Sequence, residues 1–302
     1  MKHITVVGSH TSAYLMHCPR LPTRGEFIMG DYFSETLDGG KGSNQALALA
    51  RFGALVDFVG VIGDDAAGRK FQDYFKENGV NLQYVAVIPG GKTAMGLAFI
   101  DPQGQIIGAT DPGVLPDMCR MHVDAAKASI ESCSVLLTQL EIPADAALYA
   151  CQLAKEAGKI AILNPAPADQ LRLEQIRCID ILTPNEPESK LLLGIDPQTP
   201  MTYEALAQAY VERALPWSTV ITLGGDGAMV IEQSGGVHRV SCPKVKVVDT
   251  SGAGDCFNAA VAYCLAQGKS LLASVKFAVR AASVSVTRAQ VWPSYPTLQE
   301  LL

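Results

Sequence analysis

The stretch VVDTSGAGDCFNAA, residues 247–260, sets three residues no larger than alanine between a β-branched run and an aspartate that opens an apolar segment. The pattern predicts that a strand ending KVKVVDT meets a helix that begins near Asp255. The first NH groups of a helix have no partner inside it, so the missing side chains would let an anion approach them. An ordinary helix start with small residues for close packing is the alternative.

Asp255 places a carboxylate next to this possible anion site. A helix N-terminus stabilises a negative side chain, so the carboxylate is expected to stay ionised near neutral pH. Like charges repel, and an ionised carboxylate beside an anion site therefore needs a reason. The pairing makes sense if Asp255 accepts the proton of a hydroxyl that attacks the phosphorus atom of the anion.

Apolar runs alternate with segments of helical period along most of the chain. The runs that predict buried strands are HITVVGS, VDFVGVIG, SVLLTQL, KIAILNP, IDILTPN and STVITLGG. Helical period is found in SNQALALARFG, AGRKFQDYFKENG, PADAALYACQLAKEAG and TYEALAQAYVERA. This alternation indicates an α/β fold with a mostly parallel central sheet covered on both faces. In such sheets ligands bind beyond the carboxyl ends of the strands.

Two regions interrupt the alternation, namely EFIMGDYFSETLDGG and TAMGLAFIDPQGQIIGAT. Both have the composition of strands, and the second folds back at the turn signal DPQG. They predict either a small separate lid sheet or an antiparallel extension of the central sheet. Without a repeat or an obvious linker, we expect one domain over residues 1–302, with a lid formed by segments near 11–16, 26–38 and 93–110.

Composition disfavours several kinds of partner. The 24 Lys and Arg against 30 Asp and Glu give a formal charge of -6 without a basic stripe, so nucleic acid and anionic membrane are poor candidates. The chain has no signal-peptide pattern and no stretch of roughly 20 apolar residues, so we expect a cytoplasmic protein. Eight scattered cysteines without a CxxC pair predict buried reduced thiols and not a zinc site.

Three further motifs carry polar side chains that could meet a ligand, and two of them are rich in glycine. In LDGGKGSNQ, residues 37–45, Lys41 and Asn44 offer donors that suit a polyhydroxyl ligand, although a glycine turn with Lys41 in solvent fits equally. In TPNEPESK, Asn185 and Glu188 would share a helix face, which suits either a hydrated magnesium ion or a capping box. ITLGGDGA is compatible with a nucleotide resting on backbone or with a plain hairpin.

Together these motifs resemble the ribokinase family of carbohydrate kinases. The match covers nearly the whole chain, from VVGS to VTRAQVWPS, and seven motifs keep the family's order and approximate spacing: GGKGSNQ, FVGVIGDDAAG, QLEIP, NPAPA, TPNEPE, ITLGGDGA and VVDTSGAGD. The resemblance implies a Rossmann-like α/β/α sandwich with a β-sheet lid. It also implies transfer of the γ-phosphate of ATP to a sugar or nucleoside hydroxyl, with Mg²⁺ and, in relatives, K⁺. Such transfer needs mainly positioning and charge stabilisation.

The resemblance assigns roles to matching residues. Asp255 matches the base, and the anion hole that receives the phosphoryl group matches Gly252, Ala253 and Gly254. The nucleotide contacts match Asn185, Thr222, Gly224 and Gly227, and the pair that orders magnesium through water matches Asn185 and Glu188. The sugar side matches Gly40, Lys41, Asn44 and Glu141, with Thr11 as a further polar candidate. Part of a monovalent-cation shell matches Asp249, Ser251 and Ser294.

The sequence departs from the family at the sugar. Relatives usually carry GSxNxD after the first strand, and the aspartate holds the sugar diol, whereas GSHTSA puts Thr11 and Ala13 at those two positions. Because alanine accepts no hydrogen bond, ribose bound in the usual manner is not expected. His10 either faces the pocket or is satisfied elsewhere. Val279 near the adenine and Gln290 near the potassium loop leave nucleotide preference and potassium response open.

Three interpretations follow. The leading one is an ATP-dependent carbohydrate kinase whose sugar is not conventionally bound ribose. A nucleoside kinase of the same family is the alternative, and a catalytically silent ligand sensor is disfavoured by the intact Asp255, Asn185 and Glu188. An NAD-dependent oxidoreductase lacks its GxGxxG signature. Relatives often pair through their lids, which leaves a homodimer open.

Overall fold

Nine strands form the central sheet of the computed structural model, which describes residues 2–103 and 105–301. Across the sheet they are β13 (Val237–Val240), β12 (Ala228–Ile231), β11 (Ser218–Thr222), β10 (Ile181–Leu182), β9 (Ile160–Asn164), β8 (Val135–Gln139), β1 (His3–Val7), β4 (Leu55–Gly63) and β5 (Val80–Ile88). The strands from β11 to β5 are parallel, and β12 and β13 add an antiparallel edge. The predicted mostly parallel sheet is confirmed.

Helices cover both faces of this sheet. They are α1 (Lys41–Arg51), α2 (Ala66–Glu77), α3 (Arg120–Ala125), α4 (Lys127–Ser132), α5 (Ala144–Glu156), α6 (Glu186–Leu192), α7 (Tyr203–Val211), α8 (Ala253–Ala266), α9 (Leu271–Ser285) and α10 (Leu298–Leu301). One apolar cluster joins the sheet to α3, α5, α6 and α7, and the other joins it to α1, α2, α8 and α9. Successive strand residues such as Val6 and Val7 enter opposite clusters, as the pleat requires. The result is an α/β/α sandwich.

A second sheet stands apart from the central one. Its order is β3 (Tyr32–Gly39), β2 (Thr11–His17), β6 (Ala94–Ile100) and β7 (Ile106–Asp111). It is not an extension of the central sheet, which was the alternative that the sequence left open. β3 begins later than predicted, because residues 26–31 form no strand. Gly104, at the end of the predicted DPQG turn, lies outside the described residues.

The segment KVKVVDT, residues 244–250, is not the strand that its β-branched composition predicted. Its amides at Val248 and Asp249 donate to the carbonyl of Val286, at 2.8 and 3.2 Å, which ties the segment to the end of α9 and leaves no neighbouring strand to pair with. Val247 and Val248 are each 56% exposed. Valine favours strands because it fits a half-buried pleated surface, and that surface is absent here.

Two predictions from the composition concern the state of the cysteines and the presence of a membrane-spanning helix. All eight cysteines are free; five are buried, but Cys119 and Cys178 are exposed, against the prediction of uniformly buried thiols. Across the described ranges, none of the helices combines the length and apolar character needed to cross a membrane.

Candidate active site

The site is built around the start of α8. Gly252, the residue before the helix, has φ 72°, and a β-carbon there would lie 2.4 Å from Val291 Cγ1 and 2.7 Å from Tyr295 Oη. At Gly254, by contrast, a β-carbon would meet nothing within 4 Å. Among residues 2–103 and 105–301, the amides of Gly254 and Asp255 have no backbone or side-chain acceptor. Free amides facing open space are the geometry of an anion-binding site.

Asp255 lies beside these amides and is only 5% exposed. Asn44 Nδ2 donates to its Oδ2 at 3.0 Å, and Gln45 Nε2 donates to its Oδ1 at 2.9 Å. Burial raises the pKa of Asp255 above its ordinary value, while the charge of Lys41 and the two amide donors oppose that rise. The carboxylate is thus a stronger proton acceptor than an exposed aspartate and is still supported in its charged form.

Lys41 supplies the positive charge near this carboxylate. It is the first residue of α1 and is half-buried, and Asp255, followed by Glu141 and Glu188, raises the pKa of its ammonium group. The alternative of a solvent-exposed Lys41 is therefore wrong. A protonated lysine among three carboxylates lowers the local negative charge that an incoming phosphate would meet.

Glu141 is oriented by one of its two oxygens. Its Oε2 accepts from Ser9 Oγ at 2.6 Å and from the backbone amide of Lys41 at 2.7 Å. Within the described residues its Oε1 has no hydrogen-bond partner, so it is available to a ligand hydroxyl.

The glycine-rich turn before α1 brings these groups together. Gly40 has φ 83°, and a β-carbon there would come within 2.8 Å of both His10 Cα and Thr11 N. Only glycine combines that backbone conformation with that approach. The start of α1 consequently packs directly on the segment between β1 and β2.

Thr11 and Ala13 lie on one face of the small sheet. By register Thr11 pairs with Ala94, and Ala13 pairs with Gly96. A β-carbon at Gly96 would be 3.9 Å from Ala13 Cβ and 3.8 Å from Thr110 Oγ1, so the space around Ala13 is open. Ala13 and Gly96 therefore present a short apolar surface, bordered by the hydroxyl of Thr110.

His10 is a core residue and does not face the pocket. It is 1% exposed, its Nδ1 lies 3.2 Å from Ser43 Oγ, and its ring stacks on Phe71 at a centroid distance of 4.1 Å. Burial lowers the pKa of His10 to about 3, so the ring is neutral.

A cavity of about 540 Å³ opens next to the start of α8. The predicted nucleotide residues Thr222, Gly224 and Gly227 line it together with Ala253 and Gly254. Val279 and several residues of the stretch 242–250, which includes KVKVVDT, form much of the remaining wall. The volume falls in the range of about 300–1,000 Å³ that small-molecule sites occupy.

Asn185 and Glu188 form the capping box that was one of two interpretations of their motif. Asn185 Oδ1 accepts from the amide of Glu188, and Glu188 Oε2 accepts from the amide of Asn185, both at 2.8 Å. A parallel bridge places Asn185 beside Thr222 at the cavity. Burial raises the pKa of Glu188, and the carboxylate keeps Oε1 without a partner in the described chain.

The candidate monovalent-cation residues lie in two loops that meet at Asp249. Its Oδ1 accepts from the amide of Ser251 at 2.9 Å, and its Oδ2 accepts from the amide of Gln290 at 3.1 Å. Gln290 has φ 66°, a left-handed backbone conformation that glycine adopts more readily than other residues. Ser294 is 1% exposed, and its hydroxyl donates to the carbonyl of Val291 at 2.6 Å.

Sequence reasoning missed the side chains that hold Asp255. Gln45 is the last residue of the GGKGSNQ motif, Gln139 is the first residue of QLEIP, and Asn164 is the first residue of NPAPA. None of them was assigned a role from the sequence. Their position inside family motifs was the available signal. Trp292, whose indole NH donates to Asn44, had no such signal.

An α/β/α sandwich that brings together helix-start amides without an acceptor among the described residues, a buried carboxylate and a cavity of about 540 Å³ has the features of a phosphotransferase. A family model described as pfkB family carbohydrate kinase matches residues 1–298. The chain therefore belongs to the pfkB family, and it is an ATP-dependent carbohydrate kinase.

Individual relatives agree with the family. A ribokinase of Bacillus subtilis is 37% identical over 304 residues, covering 100% of this chain and 98% of the relative. A deoxyribokinase of Salmonella typhi is 29% identical over 302 residues, covering 98% and 96%. The solved ribokinase of Arabidopsis thaliana, complexed with ribose and ATP, superposes with a TM-score of 0.90 at 30% identity, covering 99% of this chain and 97% of that one.

The packing at Gly252 can be tested against a glycine of the same backbone conformation. Gly252→Ala should lower the free energy of unfolding more than Gly53→Ala, measured by urea denaturation. Both glycines have positive φ, at 72° and 81°, which costs an alanine about 1 kcal/mol or more. Only Gly252 would also meet Val291 and Tyr295, since a β-carbon at Gly53 has nothing within 4 Å. Equal destabilisation would contradict this account.

Proposed function

We propose that this carbohydrate kinase uses Asp255 as the base that takes a proton from a sugar hydroxyl during phosphoryl transfer. The observation that carries the proposal is the position of Asp255, a buried carboxylate adjoining the free amides at the start of α8. A base must lie within hydrogen-bond reach of its proton and must have a pKa near the working pH. Burial raises the pKa of Asp255, which is the direction that the second requirement calls for.

The surrounding residues divide into an acceptor side and a nucleotide side. On the acceptor side, Glu141 Oε1 accepts a substrate hydroxyl, and Lys41 offsets the negative charge as the phosphoryl group approaches. On the nucleotide side, Thr222, Gly224 and Gly227 support ATP. We assign the transferring phosphoryl group to the anion hole at Gly252, Ala253 and Gly254, where the amides of Gly254 and Asp255 have no acceptor among the described residues and the amide of Ala253 donates to the carbonyl of Thr250 at 3.3 Å. Donors fixed in place before reaction stabilise developing charge at no reorganisation cost. The small sheet serves as a lid within a single domain, and its closure would exclude water.

Two cations belong to this proposal. Glu188 has one carboxylate oxygen without a partner among the described residues, and its capping partner Asn185 forms a bridge to the cavity residue Thr222, so the pair fits the outer shell of a hydrated Mg²⁺. When bound, Mg²⁺ neutralises charge on the ATP phosphates. Asp249, Ser251 and Ser294 would hold part of a K⁺ site, and the contact of Asp249 with both loops supports that assignment.

Asp255→Asn should lower kcat by about 10²–10⁴-fold, the usual contribution of a general base, with the Kd for ATP nearly unchanged. The amide fills the same space but cannot accept the proton. Steady-state ADP release and equilibrium nucleotide binding provide the two measurements. Turnover equal to that of the native chain would remove Asp255 as the base.

The same variant supplies a pH test. Because burial raises the pKa of Asp255, the native chain should lose kcat/KM for the acceptor as pH falls through a value above that of an ordinary aspartate. Below that value the carboxyl holds its own proton. The residual activity of Asp255→Asn should lack this acid limb. Glu188→Gln separates the titration of Glu188, whose pKa burial also raises.

For the acceptor, we propose a sugar that does not depend on a carboxylate at position 13. Ala13 and Gly96 form a short apolar surface bordered by Thr110 Oγ1, and the free Oε1 of Glu141 and the ammonium group of Lys41 supply polar contacts. A sugar with a missing or substituted hydroxyl suits that surface. A nucleoside is the second candidate, since the same apolar surface fits a base.

Ala13→Asp tests this account in an ADP-release panel of pentoses, hexoses, deoxysugars and nucleosides. The new carboxylate should raise kcat/KM for ribose by about tenfold or more, because a hydrogen bond to a charged group contributes about 1.5–3 kcal/mol. Ala13→Leu fills the space without an acceptor and should not improve ribose. If the native chain already prefers ribose, or if Ala13→Asp gains nothing, the proposed role of position 13 is wrong.

We also propose that two copies of the chain pair through the outer face of the lid. By register, Phe33, Met95, Leu97 and Ile107 share the face opposite to Thr11 and Ala13. Their exposed fractions, 53%, 38%, 47% and 52%, make a contiguous apolar surface of the kind that marks an interface.

Leu97→Glu should convert a dimer to a monomer in sedimentation velocity experiments, because a buried unpaired charge is strongly unfavourable at an interface. Val237→Glu is the matched control, since Val237 is 45% exposed on an edge strand away from the lid. A native chain that sediments as a monomer, or dimers that survive Leu97→Glu, would overturn the proposal.

A further inference from the structure

We infer that Trp292 and Gln139 are positioning residues, which fix the two amide side chains that hold Asp255 in its reactive orientation. The inference rests on the proposed role of Asp255 as the base. Neither residue touches the carboxylate. Each acts through one intermediate amide, Trp292 through Asn44 and Gln139 through Gln45.

The first relay is determined by the chemistry of the indole group. An indole NH can only donate, and Trp292 Nε1 donates to Asn44 Oδ1 at 2.7 Å. With its oxygen committed to Trp292, Asn44 must turn its NH₂ group toward Asp255, where Nδ2 lies 3.0 Å from Oδ2. Without the indole, the Asn44 amide could rotate and bring its oxygen toward the carboxylate. Trp292 removes that unproductive orientation.

The second relay follows the same logic through Gln45. Gln139 Nε2 donates to Gln45 Oε1 at 2.5 Å, so that Gln45 Nε2 faces Asp255 Oδ1 at 2.9 Å. Asn164 Oδ1 also accepts from Gln45 Nε2 at 3.2 Å. One atom is left over: Gln139 Oε1 is buried and has no partner in the described part of the chain. Reversing both amides would place the NH₂ group of Gln139 in the same unpartnered position and turn Gln45 Oε1 toward the charged Asp255, so the observed orientation is the more favourable one.

Trp292 is itself held rigidly. It is 3% exposed, and its ring stacks on Tyr74 of α2 at a centroid distance of 4.8 Å and meets the ring of Phe75 at a centroid distance of 5.3 Å. The preceding residue is fixed as well, because the amide of Val291 donates to Asp38 Oδ2 at 3.0 Å. The position of the C-terminal segment therefore affects the orientation of Asp255 through the hydrogen bond from the Trp292 indole NH to Asn44.

Removing the indole NH should weaken the carboxylate form of Asp255. The titratable groups near Asp255 on the packed elements are Lys41 on α1, Glu141 after β8, Glu188 on α6 and Tyr295 after Trp292. None of them changes in Trp292→Phe. A shift in the acid limb of the pH profile would accordingly report the altered support of Asp255 itself.

The experiment compares the two tryptophans of the chain. Trp292→Phe should lower kcat about tenfold, leave the KM for ATP unchanged and move the acid limb of kcat/KM to higher pH. Trp217→Phe is the matched control. Trp217 is 4% exposed in the opposite apolar cluster, and its indole NH has no partner among the described residues, so its loss should change none of these readouts. Melting curves of both variants report the cost of the smaller ring.

A double-mutant cycle tests whether Trp292 acts through Asn44. If it does, Trp292→Phe combined with Asn44→Ala should be no slower than Asn44→Ala alone. Additive losses, or a Trp292→Phe profile equal to that of Trp217→Phe, would overturn the inference. Should Trp292→Phe fail to fold, 3-benzothienylalanine at position 292 in a Trp217→Phe background keeps the ring system without the NH.

The test of Asp255 as the base and the test of Trp292 as a positioning residue have separate outcomes. Asp255→Asn with native turnover would refute the proposed base whatever Trp292 does. An inactive Asp255→Asn together with an unaffected Trp292→Phe would refute only the positioning role.

Discussion

A negative charge buried at the start of α8 is the constraint on which the active site depends. A carboxylate that is 5% exposed has lost most of its hydration, and without compensation it would take up a proton. Two amide donors and the charge of Lys41 compensate in part, and α8 contributes its positive end. The balance leaves a carboxyl group whose pKa is above that of an exposed aspartate and whose charged form is supported by hydrogen bonds. Too much compensation would produce a poor base, and too little would leave Asp255 protonated.

The parallel sheet makes this balance possible because it delivers side chains from distant sequence positions to one edge. Gln139 ends β8 and Asn164 ends β9, and both meet Gln45 near the start of α1. The geometry of the site consequently depends on the positions of the strand ends. Destabilising any of these strand ends would disturb the base before it disturbed the core.

The sequence predicted the elements whose local pattern agrees with their final environment. Of the residues that line the cavity, Thr222, Gly224, Gly227, Ala253 and Gly254 stood in quoted motifs, whereas wall residues such as Cys242 and Pro243 did not. The buried strands from HITVVGS to STVITLGG and the helix starts after Gly40 and Gly252 were visible as patterns. KVKVVDT was not, since valine composition alone does not show whether a neighbouring strand is present. The relays were beyond reach for a different reason: Trp292 and Asn44 are 248 positions apart, and only the tertiary fold shows that an indole donor meets an amide oxygen.

The lid and the base also divide the determinants of specificity and chemistry. Thr11 and Ala13 belong to the small sheet, whereas Asp255 and its amides belong to the sandwich. If Asp255 is the base, as proposed, substitutions on the face of the small sheet that carries Thr11 and Ala13 would alter which hydroxyl-bearing molecule is held, and Asp255 would keep both of its amide donors. Asn44 and Gln45, which donate to Asp255, belong to α1 and not to the small sheet, and all three side chains are buried. Close packing and hydrogen bonding leave these three side chains little freedom, so the acceptor surface is the part of the proposed site in which sequence change is better tolerated.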